Sequence, residues 1–502
     1  MSKNVHKIFK GAGIVFLGSV IGLCLRLLSK VLIARSVSVS DFGIYSLASV
    51  VFSMAFVLSL LGLEEGAPRQ IAYFRKTEKV SNIVSSSIII SIISGLTTAI
   101  LLFVYSDNLA VFFNKDKLSF AIKIFSLALP FSVLISTFLA TFRGFEMPEM
   151  KVCFSDVLKN ATFVCLLLAV FALKLSLIGV LISYFISVLF TFVFLTIIVF
   201  RKMRFKLTFD RSTTVDLLKF SVPLLVAIIL GMVMAWTDTL MLGYLKESRD
   251  VGLYSASHSL AGLIPIFLSS AGYMYIPVAS QIYSEGLMDE LRRVYQITTK
   301  WIFSITVPFF VIFMLYPKFV LSLFFGGNYT SAYNVLRILS LGFMFHIILG
   351  LNGASLIVLG GGRLLMYMTL IGASSNVILN AILIPMLGVV GAAIATAVSY
   401  VLANTMASIK LFQISKIQPF TKSYLKLLAI SMVAMYPSMY LVRNDVDFIA
   451  FTFIIYCLLY FILMIILKCI DRDDIELISA VESRLGVNLK LIKSILSKLY
   501  KL

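Results

Sequence analysis

The chain has 502 residues, 60% of them hydrophobic and only 13% charged, with a mean hydropathy of +1.01. So few charges cannot cover a soluble globule, so composition excludes one and leaves an integral membrane protein. The net charge of +19, from 43 Lys and Arg against 24 Asp and Glu, reports topology and contact with anionic lipid; no domain is present to bind a nucleic acid.

A helix needs about 20 apolar residues to cross about 30 Å of hydrocarbon. In chain order such runs begin near Gly11, Phe42, Ser81, Ser119, Cys153, Leu177, Leu217, Gly252, Thr299, Ala332, Leu364, Gly388, Ser423 and Asp447. Fourteen transmembrane helices are expected, or twelve if runs fuse across Lys174-Leu-Ser and Pro385-Met-Leu-Gly388. The first run is too long for a cleavable signal and carries Arg26 and Lys30 where a small-residue cleavage site would stand. Basic residues crowd alternate loops. Arg69, Arg75, Lys76 and Lys79 follow the second run, and Arg201, Lys202, Arg204, Lys206, Arg211 and Lys219 follow the sixth. Short basic loops stay inside, which puts both termini on the cytoplasmic side of the cell membrane.

The chain repeats itself. Asp41, Gly43, Tyr45 and Ser46 recur as Asp250, Gly252, Tyr254 and Ser255, an offset of 209 residues that also takes Pro68 to Pro277. With small shifts Ile122-Lys-Ile-Phe-Ser-Leu127 matches Leu336-Arg-Ile-Leu-Ser-Leu341, and Gly179 matches Gly391. Duplicated bundles around a central site are a common transporter plan. The Asp-x-Gly-x-Tyr-Ser segments read as outer turns joining the first two helices of each half. The expected domains are a six-helix lobe over 1–200, a cytoplasmic linker 201–216, a second six-helix lobe 217–413, two added helices within 414–470, and a cytoplasmic segment 471–502. In that last segment Ile475, Ile478, Val481, Leu485, Leu489, Ile492, Ile495 and Leu499 recur opposite Lys490, Lys493, Lys498 and Lys501, as in a basic amphipathic helix on the inner leaflet.

Several motifs in fixed order carry a resemblance over essentially the whole length: Asp41-Phe-Gly-Ile-Tyr-Ser46, Gly62-Leu-Glu-Glu-Gly-Ala-Pro-Arg69, Asp238-Thr-Leu-Met-Leu-Gly243 leading to Val251-Gly-Leu-Tyr-Ser255, Phe325-Gly-Gly-Asn-Tyr329, and Asn376-Val-Ile-Leu-Asn380 running through Pro385 to Gly388-Val-Val-Gly391 and Thr396. The chain resembles Wzx-type polysaccharide flippases of the multidrug/oligosaccharidyl-lipid/polysaccharide (MOP) exporter superfamily. The resemblance implies an all-α membrane protein with two pseudo-symmetric six-helix lobes around a central cleft. Fourteen helices are common among its flippases and twelve among its drug exporters.

A cation near mid-membrane costs about 2.5–3.5 kcal/mol on insertion scales, so it is expected to face water, a partner or a substrate. Gly18, Gly22, Arg26 and Lys30, spaced by four, share one face of the first helix. That face reads as the cationic wall of a hydrated cleft, suited to a pyrophosphate or an acidic sugar, or as cations snorkelling to the outer interface. At the 209-residue offset Asp238 stands where the first half has Ser29. Three roles stay open for it: a latch pairing with Arg26 or Lys30, a site for a coupling proton or sodium ion, and a local pair within its own helix. Lys159, beside Asp156, and His346 complete the candidate cleft set, His346 either titrating or donating one interhelical hydrogen bond; His258 is a weaker candidate of the same kind. Lys123 and Arg337 head their runs near the outer mouth, and Arg69, Arg143 and Arg363 stand at the cytoplasmic entrance.

Other chemistries are excluded or poorly supported. There is no Gly-x-x-x-x-Gly-Lys-Ser/Thr, Gly360-Gly-Gly-Arg363 is a short turn, and Asp445-x-Asp447 reads as a solvated loop. Three histidines and the scattered Cys24, Cys153, Cys165, Cys457 and Cys469 predict no catalytic centre, metal, cofactor or disulfide. The expected function is translocation of a polyprenyl-linked oligosaccharide by alternating access, without enzymatic activity. Expected partners are that lipid-linked glycan, anionic lipid, a coupling proton or sodium ion, and glycan-assembly enzymes. The alternatives are an ion-coupled multidrug or metabolite exporter, a membrane glycosyltransferase or polymerase, which requires large outer loops, and a channel.

Overall fold

The computed structural model describes residues 3–75, 77, 79–202, 208, 210–440, 446–467, 469 and 474. Among them every regular element is helical. The first half runs α1 (Lys3–Ser36), α2 (Val39–Leu60), α3 (Leu63–Tyr73), α4 (Lys79–Val104), α5 (Ser106–Phe112), α6 (Asp116–Gly144), α7 (Glu149–Lys151), a π-helical turn (Val152–Leu158), α8 (Lys159–Ala172) and α9 (Leu177–Lys202). The second runs α10 (Arg211–Leu245), α11 (Ser248–Ala261), α12 (Ile266–Ser284), α13 (Met288–Leu315), α14 (Pro317–Phe325), a 3-10 turn (Gly327–Ala332), α15 (Tyr333–Leu349), α16 (Asn352–Val358), α17 (Gly362–Leu387), α18 (Val389–Ser415), α19 (Lys422–Tyr440) and α20 (Val446–Ile466).

Each predicted run starts inside a helix or one residue before one. Among the described residues nine helices are long and apolar enough to cross a membrane, and up to eleven if each bent pair is one span. One bend, of 58°, divides α10 between Val226 and Gly231, just after Pro223, whose missing N–H breaks the helical ladder. The other, of 53°, separates α11 from α12. Asp445 and the segment 471–502, Asp474 apart, lie outside the described residues.

Two compact units are distinguished. The first comprises Met1–Ala256, Phe324–Tyr329 and Asn376–Ala392. Its spine is α6, which packs against α2, α3, α4, α5 and α9. Leu118, Ile122, Phe125, Leu129 and Val133 recur along α6 at spacings of three and four and are all buried, the stripe that a helix enclosed by neighbours requires. Phe125 holds this layer together, its ring 5.2 Å from Phe52 and 5.0 Å from Tyr184. Helix α1 lies along the π-helical turn and α8.

The repeated motif occupies helix rather than turn, which corrects the expectation of outer turns: Asp41–Ser46 falls in the opening of α2 and Asp250–Ser255 in α11. The reason is local capping. Ser38 Oγ accepts from Asp41 N at 3.1 Å and donates to Asp41 Oδ2 at 2.9 Å, a reciprocal cap that starts the helix at once. Lys117 Nζ adds a 2.8 Å bond to Asp41 Oδ1. The two motif glycines, Gly43 and Gly252, meet where α2 and α11 touch backbone to backbone.

The second unit comprises Ser257–Leu323, Thr330–Ser375 and Ala393–Leu502. Here α13 packs against α12, α15 and α19. The last carbonyls of α15 are satisfied from the side: Tyr295 Oη donates to Leu349 O at 2.5 Å and Tyr424 Oη to Ile348 O at 2.9 Å. A buried ion pair joins Lys300 Nζ to Asp474 Oδ2 at 2.5 Å, and Trp301 Nε1 donates to Asp474 Oδ1 at 2.9 Å.

Candidate functional site

The predicted stripe on α1 is a packing face that ends in a charge. A side chain at Gly18 would lie 1.9 Å from Val152 Cγ1, and one at Gly22 would lie 2.7 Å from Asp156 Cβ, so the glycines let α1 close on the π-helical turn. One turn on, the stripe changes chemistry: Arg26 Nη1 donates to Asp156 Oδ1 at 3.2 Å, its side chain 49% exposed and that of Asp156 11%. Lys159 is half-buried and within electrostatic reach of both Arg26 and Asp156. Lys30 follows one turn beyond Arg26 and is exposed. The π-helical winding of Val152–Leu158 shifts the faces presented before and after it, a feature common at functional sites. Asp156 was legible in the sequence only as an acid three residues before Lys159. The acid at Arg26 is Asp156, because Gly22 brings that residue against α1.

Asp238 is buried on α10 within a second cluster. Its Oδ2 accepts from Tyr254 Oη at 2.5 Å; its Oδ1 accepts from Asn380 Nδ2 at 2.7 Å and from Asn376 Nδ2 at 3.1 Å. The spacing of four puts both asparagines on one face of α17, where Asn380 Nδ2 also reaches Asn376 Oδ1 at 3.1 Å. Asn380 Oδ1 is buried and accepts no hydrogen bond among the described residues. The repeat has diverged here: Tyr254 serves Asp238, while its counterpart Tyr45 packs on the Phe125 ring at 5.8 Å. In the sequence Asn376 and Asn380 stand out only as motif residues, and nothing there marks Asp238 as their common partner.

The remaining candidates are dispersed. Lys123 Nζ donates to both carboxylate oxygens of Asp107 at 3.0 Å, and Ser119 Oγ donates to the same carboxylate. Hydrogen bonds from Ser119 and then Lys123 hold the Asp107 carboxyl below its ordinary 3.8. Arg337 Nε donates to Met314 O at 2.8 Å, and its guanidinium lies 5.8 Å over the Tyr333 ring. Arg143 reaches Glu65 Oε1 at 3.2 Å and the carbonyl of Glu64. Arg69 and Arg363 are exposed. His346 lies 6.2 Å from the Tyr400 ring, its Nδ1 buried with no hydrogen-bond partner among the described residues. No group of three or more His, Cys, Asp or Glu able to hold a metal occurs among them.

Long apolar helices with an ion pair and a carboxylate network set among them define a multi-pass membrane protein. Residues 8–283 match the family described as "Polysaccharide biosynthesis protein", and residues 223–382 match MatE. The chain belongs to the polysaccharide biosynthesis family of the MOP exporter superfamily. An uncharacterized membrane protein of Methanocaldococcus jannaschii, MJ1068, is 22% identical over 91% of this chain and 94% of its own length. A Shigella flexneri protein named as an O-antigen transporter is 23% identical over 62% of this chain and 76% of its own. In fold the chain is similar to the lipid II flippase MurJ in an inward closed conformation, with a TM-score of 0.73 and 16% identity, covering 91% of this chain and 98% of that one.

Proposed function

We propose that this protein carries a polyprenyl-linked oligosaccharide from the cytoplasmic to the outer leaflet by alternating access, for the assembly of a surface glycan. The observation that carries the reading is the pairing of Arg26 with Asp156, with Lys159 in electrostatic reach of both and Lys30 one turn beyond Arg26, in a member of the polysaccharide biosynthesis family. A sugar diphosphate head is too polar to cross hydrocarbon unaided, and basic side chains inside a bundle supply the counter-charge it needs. The names of the Shigella protein and of MurJ support the same class of cargo.

In this reading fourteen helices cross the cell membrane with both termini cytoplasmic. Six-helix lobes over 1–200 and 217–413 rock about a central cleft, joined by 201–216 and followed by two added helices in 414–470 and a membrane-surface helix in 471–502. Arg26, Lys30, Lys159, Asp238 and His346 serve the cleft, Lys123 and Arg337 the outer mouth, and Arg69, Arg143 and Arg363 the cytoplasmic entrance.

We place the coupling ion, a proton or sodium, at Asp238. Its carboxylate, Asn376 Oδ1 and Asn380 Oδ1, the last accepting no hydrogen bond among the described residues, are hard oxygen donors of the kind that suits a small cation. A bound cation supplies the charge through which a gradient favours one face of the transporter.

The test is reconstitution. In proteoliposomes the protein is expected to expose an inner-leaflet lipid-linked oligosaccharide to an external lectin. Arg26→Gln is expected to slow that exposure by about tenfold or more, the scale on which one lost charged contact acts. Asp238→Asn is expected to abolish its dependence on an imposed ion gradient. Export of cationic dyes with no change of leaflet for any lipid-linked sugar would instead favour the exporter reading, which the MatE match supports.

A further inference from the structure

We propose that Asp156 is a resident competitor at an anion site centred on Arg26, and that the ligand which displaces it is a diphosphate. The inference rests on the flippase reading above and names the group by which the cargo is held.

The Arg26 to Asp156 contact is built as a weak occupant would be. It is one bond, from Nη1 to Oδ1 at 3.2 Å, longer than the 2.7–2.9 Å usual for a charge-assisted pair. A guanidinium offers five donors in a planar fork, yet Nη1 is the only nitrogen of Arg26 with a partner among the described residues. Arg26 is half-exposed, so its remaining edge is open to a second anion.

The backbone of Asp156 is held from two sides, whereas its carboxylate has Arg26 as its one hydrogen-bond partner among the described residues. Gly22 sits so close that a side chain there would meet Asp156 Cβ at 2.7 Å and its carbonyl oxygen at 3.0 Å. Asn160 Nδ2 holds the same carbonyl at 2.8 Å. Release therefore takes a rotation of the Asp156 side chain and no movement of α1.

Charge then selects the ligand. Arg26 and Lys159 set two basic side chains against the one carboxylate of Asp156. Exchanging that carboxylate for another monoanion gains no charge and costs the entropy of binding. A dianion engages both cations when Asp156 turns away. Asp156 thereby excludes single carboxylates and frees the diphosphate on the far side by returning to Arg26.

The test uses the full chain in nanodiscs of neutral lipid, with farnesyl diphosphate and the monoanion farnesoate as probes and binding read by native mass spectrometry. The wild type is expected to prefer the diphosphate by about tenfold, equivalent to 1.4 kcal/mol. Asp156→Asn is expected to tighten diphosphate binding by about tenfold, and Asp156→Glu to restore the wild-type value. Arg26→Gln is expected to weaken binding, and the double variant to bind no more tightly than Arg26→Gln alone, since competition requires Arg26. Equal affinity for the two probes, or unchanged or weaker binding in Asp156→Asn, overturns the proposal; the wild-type preference can be read even if that variant fails to fold. Leaflet transfer is measured separately. Transfer without the predicted binding pattern removes the competitor alone, and the binding pattern without transfer removes the flippase reading.

Discussion

Gly43 and Gly252, equivalent residues of the internal repeat, face each other with no room for a side chain on either. A Cβ on Gly43 would lie 1.7 Å from Ser248 O, and one on Gly252 would lie 2.2 Å from Val39 O. A duplicated chain that meets itself at equivalent positions makes a two-fold-like contact, in which one residue type solves both sides.

Alanine at either glycine must part α2 from α11. Each substitution is expected to cost about 1–3 kcal/mol, the usual price of overpacking, read as a lower midpoint of thermal unfolding in detergent. The double variant is expected to cost less than the sum, because the first alanine has already separated the helices. Unchanged midpoints in both single variants would contradict the contact.

Lys300 and Asp474 form a pair in which both side chains are almost fully enclosed, 8% and 0% exposed. Removing one partner strands a buried charge, so Asp474→Asn is expected to destabilise the protein by about 3–5 kcal/mol. Replacing both by apolar residues of similar volume, Lys300→Met with Asp474→Leu, should recover most of that loss. Chemical denaturation of the three variants separates the cases, and a double variant as unstable as the single one would show that the charges themselves are needed.

Two carboxylates outside the spans set an acid limit. Hydrogen bonds from Ser119 and Lys123 to Asp107, and from Thr213 and Ser212 to Asp210, hold both carboxyls below their ordinary 3.8. A lowered folded value means that the native state favours the charged form. Their contribution is complete above the ordinary value and is lost as pH falls through the lowered ones. Stability is expected to be level from about pH 7 to pH 5 and to decline below about pH 4. Asp107→Asn with Asp210→Asn should flatten that decline, and an acid limb as steep as in the native protein would count against this origin.

Asp238→Ala removes the acceptor that Tyr254, Asn376 and Asn380 share, while Asn380 Nδ2 still reaches Asn376 Oδ1. At about 1–3 kcal/mol for each unsatisfied group, the loss is expected to exceed that from Asp238→Asn, which keeps one acceptor oxygen. Unfolding of the two variants in detergent gives the order, and the reverse order would mean that Asp238 is not the hub of the network.

Much of the fold was legible because membrane helices are specified locally. The positions of the runs follow from apolar length alone, and Gly18, Gly22, Arg26 and Lys30 declared a common face through their spacing of four. The capping of α2 by Ser38 is equally local, but Asp and Gly favour turns as well as helix starts, so the motif alone does not separate the two.

The sequence by itself determined the class of protein, the internal duplication and the basic character of the first helix, since composition and periodicity act over a few residues. Only tertiary structure decided what each charge meets. Arg26 finds Asp156 across 130 residues, and Asp238 finds Asn376 and Asn380 across 138 and 142. Such partners are fixed by which helices pack and how closely, and that depends on glycines at crossings and on one π-helical turn that shifts a face. Periodicity along a single helix carries no record of either.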